Sequence, residues 1–265
     1  MGIQVAAVIT AAGSSARMGG IKKEFCLLPA GSSISENEKD EHLTVLGSAV
    51  LSFAVCPRID LIVIVIPRGT EETARDALPS DLRKIISSGQ ASGGPVPGRP
   101  FPCRPGIIFT EGGSSRQSSI YNGLRLLENF HPSWVLIHDG ARPWLKTGLI
   151  ENLIDAVFLH NAVIPFMSLA ETPKEVDFSG ADGSGFITRH LKRRFTGVAQ
   201  TPQAFAYPGI LEAHKKAAEN ESTEYTDDAE IWGEFNGTVA FIPGDPENRK
   251  ITFPGDLLST AHRMQ

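Results

Sequence analysis

Arg17, Lys22 and Lys23 lie within ten residues of Gly13, Ser14 and Ser15. Backbone N–H groups of a Gly/Ser loop can turn inward as an anion-binding nest, and three nearby cations add charge to the same place. That chemistry suits a triphosphate. The loop follows an apolar run, Val5 to Ile9, of strand length, and it begins with Ala11-Ala12-Gly13, residues small enough to let a ligand reach the backbone. No Gly-Lys-Ser/Thr ends it and the further glycines of a dinucleotide fingerprint are missing, so both common phosphate motifs are excluded. Stripped of its cations, the loop would read as a solvated turn.

Asp139 directly follows the apolar run Trp134 to Ile137. A strand there would hold its carboxylate rigidly at a sheet edge, and Mg²⁺ prefers one or two carboxylates plus phosphate oxygens. The alternative is an aspartate capping the next turn. Gly112-Gly113-Ser114-Ser115-Arg116, with Ser119 beyond, offers backbone groups and hydroxyls at a helix start, suited to reading a base edge. The same residues also read as an N-capped helix with an exposed arginine. Farther along, Arg193 and Lys250 supply cations for an acidic second substrate, although a lysine such as Lys250, taken alone, is normally solvated.

Together these segments form a pattern. A-A-G-x-x-x-R-M-G from Ala11, with Lys23 five residues after Met18, resembles the signature loop of nucleotidyltransferases that activate sugar or polyol phosphates. Gly112 to Ser119 resembles G-G-x-x-R-x-x-S, His138 to Pro143 resembles H-D-A-A-R-P, and Glu247 to Thr252 resembles D-N-I-K-V-T. With Arg193 placed ahead of Gln200-Thr201-Pro202-Gln203, the motifs resemble, in order, those of the 2-C-methyl-D-erythritol 4-phosphate cytidylyltransferase family. Departures are Thr10 for a frequent Pro, Lys22-Lys23-Glu24 for Pro-Lys-Gln, Ser114 for an acidic residue, Gly140 for Ala and Glu247 for Asp.

The resemblance implies that a polyol phosphate is joined to CMP from CTP, with pyrophosphate released, in non-mevalonate isoprenoid biosynthesis. It assigns Ala11, Ala12, Gly13, Gly112, Gly113, Ser114, Ser119, Asp139 and Gly140 to the nucleotide, and Mg²⁺ to Asp139. Arg17 and Lys23 would stabilise the charged transition state, while Arg193 and Lys250 fix the attacking phosphate. Thr172, Thr201 and Thr226 match threonines that contact the acceptor. Arg194 leaves the register of Arg193 open by one, and Glu247 is open as a second metal ligand. The same motifs admit another acceptor, such as ribitol 5-phosphate, and the departures admit a non-catalytic nucleotide-binding regulator.

Three strands followed by helices, each ending in a small-residue loop, predict a single doubly wound, Rossmann-like, mainly parallel α/β sheet over residues 1–265. Loops at the carboxyl ends of such strands gather where ligands bind. Helices are expected at 43–55, 71–86, 117–128, 208–218, from about 226, and at 254–262, with strands also at 162–166 and 238–243. Residues 31–42 and the Pro/Gly-rich 89–105 read as surface insertions. The segment 168–194 is too polar for a core and too long for a connection, so it should project as an arm. In the resembled family an equivalent arm clasps a twin, which implies a C₂ homodimer.

With 41% hydrophobic and 21% charged residues, the chain has an ordinary globular composition. A formal net charge of -5 argues against a general nucleic-acid binder. Cys26, Cys56 and Cys103 are odd in number and far apart, as expected of reduced thiols in the cytoplasm. Lacking a basic n-region, the N-terminus is not read as a signal peptide, and no apolar run has the length of a membrane span.

Overall fold

Side chains alternate across a strand, and in this chain both alternating sets are apolar, so the central strands must be covered on two faces. Val5, Ala7 and Ile9 of β1 (Val5–Thr10) enter one hydrophobic cluster, whereas Ala6 and Val8 enter another. Every position of β2 (Leu61–Ile66) is buried. The computed structural model describes residues 4–13, 15, 18–29, 43–87, 105–179, 184–220, 223 and 225–258. The insertion 31–42 and residues 89–104 of the second insertion lie outside them.

Between these strands runs α1 (Val45–Ala54), capped by Thr44, whose hydroxyl accepts from Gly47 N at 2.9 Å. After β2 the expected single helix over 71–86 is two, α2 (Glu71–Asp76) and α3 (Ser80–Ser87). Pro79 explains the break: it has no N–H to donate and disfavours helical backbone at Leu78 before it. Next come β3 (Gly106–Glu111), α4 (Arg116–Leu126), β4 (Trp134–Asp139), α5 (Thr147–His160) and β5 (Ala162–Ser168). Then β6 (Lys174–Asp177) and β7 (Phe186–His190) pair antiparallel with each other alone. All positions of both are exposed. The chain returns through β8 (Gly197–Ala199) and β9 (Gln203–Ala206), then α6 (Tyr207–Glu219), α7 (Asp228–Asn236), β10 (Ala240–Pro243) and α8 (Pro254–Leu258).

The main sheet has the order β10-β5-β9-β4-β1-β2-β3, with β8 also pairing β5. Strands β3, β2, β1 and β4 are mutually parallel, and the register sets Thr10 beside Asp139 at the carboxyl ends of β1 and β4. One feature is absent from the strand-and-helix alternation: β9 is antiparallel and lies between β4 and β5. Helices α1, α2, α3 and α5 cover one face, while α4, α6 and α7 cover the other. The sheet is therefore doubly wound.

Close packing of α4 on the sheet depends on Gly123. A Cβ there would stand 2.7 Å from Val8 Cγ1 and 2.9 Å from Val65 Cγ2. Overpacking of this kind costs about 1–3 kcal/mol, and a β-branched residue recovers little helix propensity over glycine. Gly123→Val should therefore lower the urea midpoint with the slope unchanged; an unaltered midpoint would mean that α4 shifts freely.

Candidate active site

Small-residue loops after β1, β3 and β4 meet over a cleft of about 500 Å³. It is lined by Ala12, Gly13, Gly113, Ser114 and Ser119 from the first two loops, and by Lys23, Arg116, Asp139 and Lys250 as charged groups. The size suits a small organic ligand. Gly112 permits the loops to touch, since a Cβ on it would meet Ala12 Cβ at 2.4 Å. Ser119 Oγ accepts from Gly113 N at 3.0 Å and donates to Ser115 O at 2.7 Å, tying the loop to the first turn of α4. Ser115 caps that helix reciprocally with Ser118.

At the centre stands Asp139, the last residue of β4. Its N–H donates to Thr201 Oγ1 at 3.0 Å, and that hydroxyl lies 3.1 Å from His138 Nδ1. His138 Nε2 lies 3.3 Å from the carbonyl oxygen of Arg142, which can only accept, so Nε2 carries the proton and Thr201 donates to Nδ1. Burial pushes the His138 pKa down to about 3, leaving the ring neutral. The Asp139 carboxylate meets Lys250 Nζ at 2.8 Å and the Nε atoms of Arg116 and Arg142 at 3.6 Å. Burial alone would raise its pKa, but Lys250, Arg116 and Arg142 together hold it far below the usual carboxylate range. Asp139 is ionised and buried.

The loop bearing Lys250 is fixed through its backbone. Arg142 donates to Asn248 O at 2.8 Å, Asn248 Nδ2 donates to Thr201 O at 2.8 Å, and Ile251 N donates to Ala141 O at 2.9 Å. Lys23 Nζ reaches across to Ile251 O at 2.7 Å. Behind Arg116, Asp228 accepts from its guanidinium at 2.8 Å and contacts His214 Nε2 at 3.1 Å; Asp228 and His214 are fully buried.

Of the residues singled out in the sequence, Ala12, Gly13, Gly113, Ser114, Ser119, Lys23, Asp139 and Lys250 line the cleft together. Ala11 and Gly140 support it from beneath: Ala11 N donates to Val65 O, and a Cβ on Gly140 would meet Thr10 O at 2.8 Å. Thr201 is buried under Asp139 rather than in the lining. Thr172, Arg193 and Thr226 are exposed and outside the lining. Arg193 donates to Ala170 O, which closes the base of the arm, and Thr226 donates to Glu230. Arg17 lies outside the described residues. Glu247 pairs with Lys146 at 2.5 Å and does not line the cleft.

Sequence reasoning gave no site role to Glu24, Arg116, Asp228 or Thr252. Of these, Glu24, Arg116 and Thr252 line the cleft. The S-S-R spacing at a helix start offered a signal for Arg116, but its partner Asp228 lies 112 residues away.

A mainly parallel sheet whose small-residue loops, cations and ionised aspartate converge on one cleft defines an α/β protein with a site suited to an anionic ligand. The sequence profile of the 2-C-methyl-D-erythritol 4-phosphate cytidylyltransferase family, IspD, matches residues 5–265, and the chain belongs to that family. It is similar to the bifunctional enzyme IspD/IspF of Bartonella tribocorum, 31% identical over an alignment 265 residues long that covers 99% of this chain and 56% of the relative. The chain thus spans little more than half the length of that relative. The solved 4-diphosphocytidyl-2C-methyl-D-erythritol synthase of Anaerococcus prevotii has 25% identity and a TM-score of 0.72, covering 97% of this chain and 94% of its own. The 2-C-methyl-D-erythritol 4-phosphate cytidylyltransferase of Thermus thermophilus has 25% identity and a TM-score of 0.64, covering 98% and 97%.

Glu24 yields a prediction with a definite sign. It is 4% exposed and accepts from Ser15 Oγ at 3.3 Å; burial raises its pKa despite Lys23 and Lys22 nearby. An unfolded glutamate titrates at about 4.3, so the folded chain holds this proton more tightly, and stability is lost as pH rises through the folded value. Glu24→Gln should match wild type at about pH 4 and melt higher at about pH 7–8. Equal melting temperatures at both pH values would contradict it.

Proposed function

We propose that the chain transfers the cytidylyl group of CTP to 2-C-methyl-D-erythritol 4-phosphate, releasing pyrophosphate, as one nucleotidyltransferase domain spanning residues 1–265. The observation that carries this reading is the convergence of Lys23, Lys250 and Asp139 with both small-residue loops on one cleft, in a chain of this family. The attacking oxygen belongs to a phosphate that is already ionised, so no side chain has to form a covalent bond. That oxygen bonds to the α-phosphorus as the bond to the pyrophosphate oxygen breaks. What remains for the protein is alignment and charge.

In this reading Ala12, Gly13, Gly113, Ser114 and Ser119 seat the nucleotide, with Ala11, Gly112 and Gly140 setting the backbone around them. Lys23, and Arg17 from the same loop, offset charge building at the α-phosphorus. Lys250 holds the incoming phosphate. The ionised Asp139 carboxylate in the lining suits a divalent ion, and Mg²⁺ is the one that takes few carboxylates and completes its shell with phosphate oxygens and water. Bound there, Mg²⁺ would neutralise triphosphate charge. Among the described residues no group of three or more His, Cys, Asp or Glu could hold a metal. Glu247, paired with Lys146, is given no role in this reading.

Thr172, Arg193 and Thr226 belong to the acceptor in this reading, with Thr201 acting through Asp139. Both arm residues stand outside the lining of their own chain's cleft, and the arm exposes Phe178, Phe186 and Ile187. These facts support a C₂ homodimer in which the arm serves the neighbouring site. A cytoplasmic setting belongs to the same reading, supported by free thiols at Cys26 and Cys56. Among the described residues no helix is long and apolar enough to cross a membrane.

Pyrophosphate release from CTP should occur with 2-C-methyl-D-erythritol 4-phosphate and fall to background with ribitol 5-phosphate. Lys23→Ala should cut kcat by about 10²-fold or more without lowering the melting temperature much; near-normal turnover would remove Lys23 from the mechanism, and CTP binding without turnover on either acceptor would favour a regulatory role. For the shared site the test is complementation. Mixing inactive Arg193→Ala and Lys23→Ala subunits under conditions of exchange should restore activity in heterodimers, whereas a fully active monomer would rule the arrangement out.

A further inference from the structure

Asp139 is approached by three cations, but not equally. Lys250 takes Oδ2 at 2.8 Å, a charge-assisted bond, while Oδ1 faces Arg116 Nε at 3.6 Å, beyond hydrogen-bond range. Arg116 has a nearer partner: its terminal nitrogen donates to Asp228 Oδ2 at 2.8 Å. Asp228 in turn is held from behind, because His214 Nε2 meets its other oxygen at 3.1 Å. Both Asp228 and His214 are fully buried. They sit on different helices, α6 and α7, packed against each other. Asp228 is also the first residue of α7, where the helix dipole favours its charge. Burial would raise its pKa, but Arg116 and His214 hold it low.

Asp228 is fully buried while Arg116 is part-exposed, and an ion pair with a buried member is weak support for stability, since desolvation offsets much of its attraction. A role in placing Arg116 accounts for its position better. We propose that Asp228, backed by His214, is a positioning residue that draws Arg116 away from Asp139 and so keeps Oδ1 of Asp139 free of a close arginine bond, available to a divalent cation. Without Asp228, Arg116 needs to close only from 3.6 Å to a charge-assisted ~2.8 Å to take that oxygen. The cation would then compete with a guanidinium for its ligand. Outer partners of this kind commonly alter metal affinity by about 10–100-fold. The proposal rests on the reading of Asp139 as the metal-bearing carboxylate.

The test measures Mn²⁺ binding by electron paramagnetic resonance, with protein in excess over CTP, no acceptor present, and CTP alone as the reference. Circular dichroism establishes that each variant is folded. Asp228→Ala should weaken Mn²⁺ binding by about 10-fold, and Asp228→Asn, which keeps an acceptor for Arg116, by less. In the double variant Arg116→Gln/Asp228→Ala the guanidinium that faces Oδ1 of Asp139 is gone, while Arg142 still faces Oδ2, and affinity should return to within about threefold of wild type. A merely structural role would not produce that recovery. Should Asp228→Ala not fold, Asp228→Asn carries the comparison, and its weakened binding should be relieved by adding Arg116→Gln. Wild-type affinity in the single variants, or a double variant as weak as the single, would overturn the proposal while leaving the reading of Asp139 intact. Wild-type protein that adds nothing to the Mn²⁺ affinity of CTP would overturn both.

Discussion

The site depends on keeping one buried carboxylate charged. Asp139 is 7% exposed at the carboxyl end of a central strand, where an isolated carboxyl would take up a proton. The structure prevents this by bringing Arg116 from the start of α4, Arg142 from the turn after β4, and Lys250 from the segment after β10 to the same side chain. Each cation needs its own scaffold. The capping turn of Ser115 orients Arg116, and Asn248 joins the Lys250 segment to Thr201 and Arg142. Much of the loop architecture around the cleft is thus the means of holding one negative charge among positive ones.

On its other side Asp139 is fixed without charge. The neutral His138 ring and the Thr201 hydroxyl form a directed chain of hydrogen bonds ending at the Asp139 N–H. Since His138 is fully buried, this chain keeps its orientation across the physiological pH range. Backbone geometry and electrostatics are therefore set by separate groups. That separation is what preorganisation requires, because charge developing in a reaction then meets dipoles already in place.

The parallel half of the fold was legible because β1, β2 and β4 carry continuous apolar runs and because β1, β3 and β4 are each followed by a small-residue loop. Asp139, Lys23 and Lys250 could be found because the motifs around them are local. Two things were hidden. The antiparallel β9 has only the four residues Gln203–Ala206, too short for its direction to be read, and its place between β4 and β5 is settled by tertiary pairing. The Arg116–Asp228–His214 cluster joins residues whose spacing in sequence, 112 and 14 residues, carries no periodic signal. Pro79 was visible, and its power to divide a helix outweighed the helical pattern around it.

The bond from Lys23 Nζ to Ile251 O spans 228 positions of the chain. A growing polypeptide makes the β1 loop early, yet the carbonyl that fixes its lysine is synthesised only after the sheet, the arm and α7. Closing so long a loop is entropically slow, and such contacts form late in folding. The strands can assemble first around their own apolar faces, while the cations of the cleft stay unaligned until the segment around Ile251 docks. Chemical competence is in this way deferred until the segment around Ile251 has been made, and a chain that has not reached it can have much of the fold without a formed site.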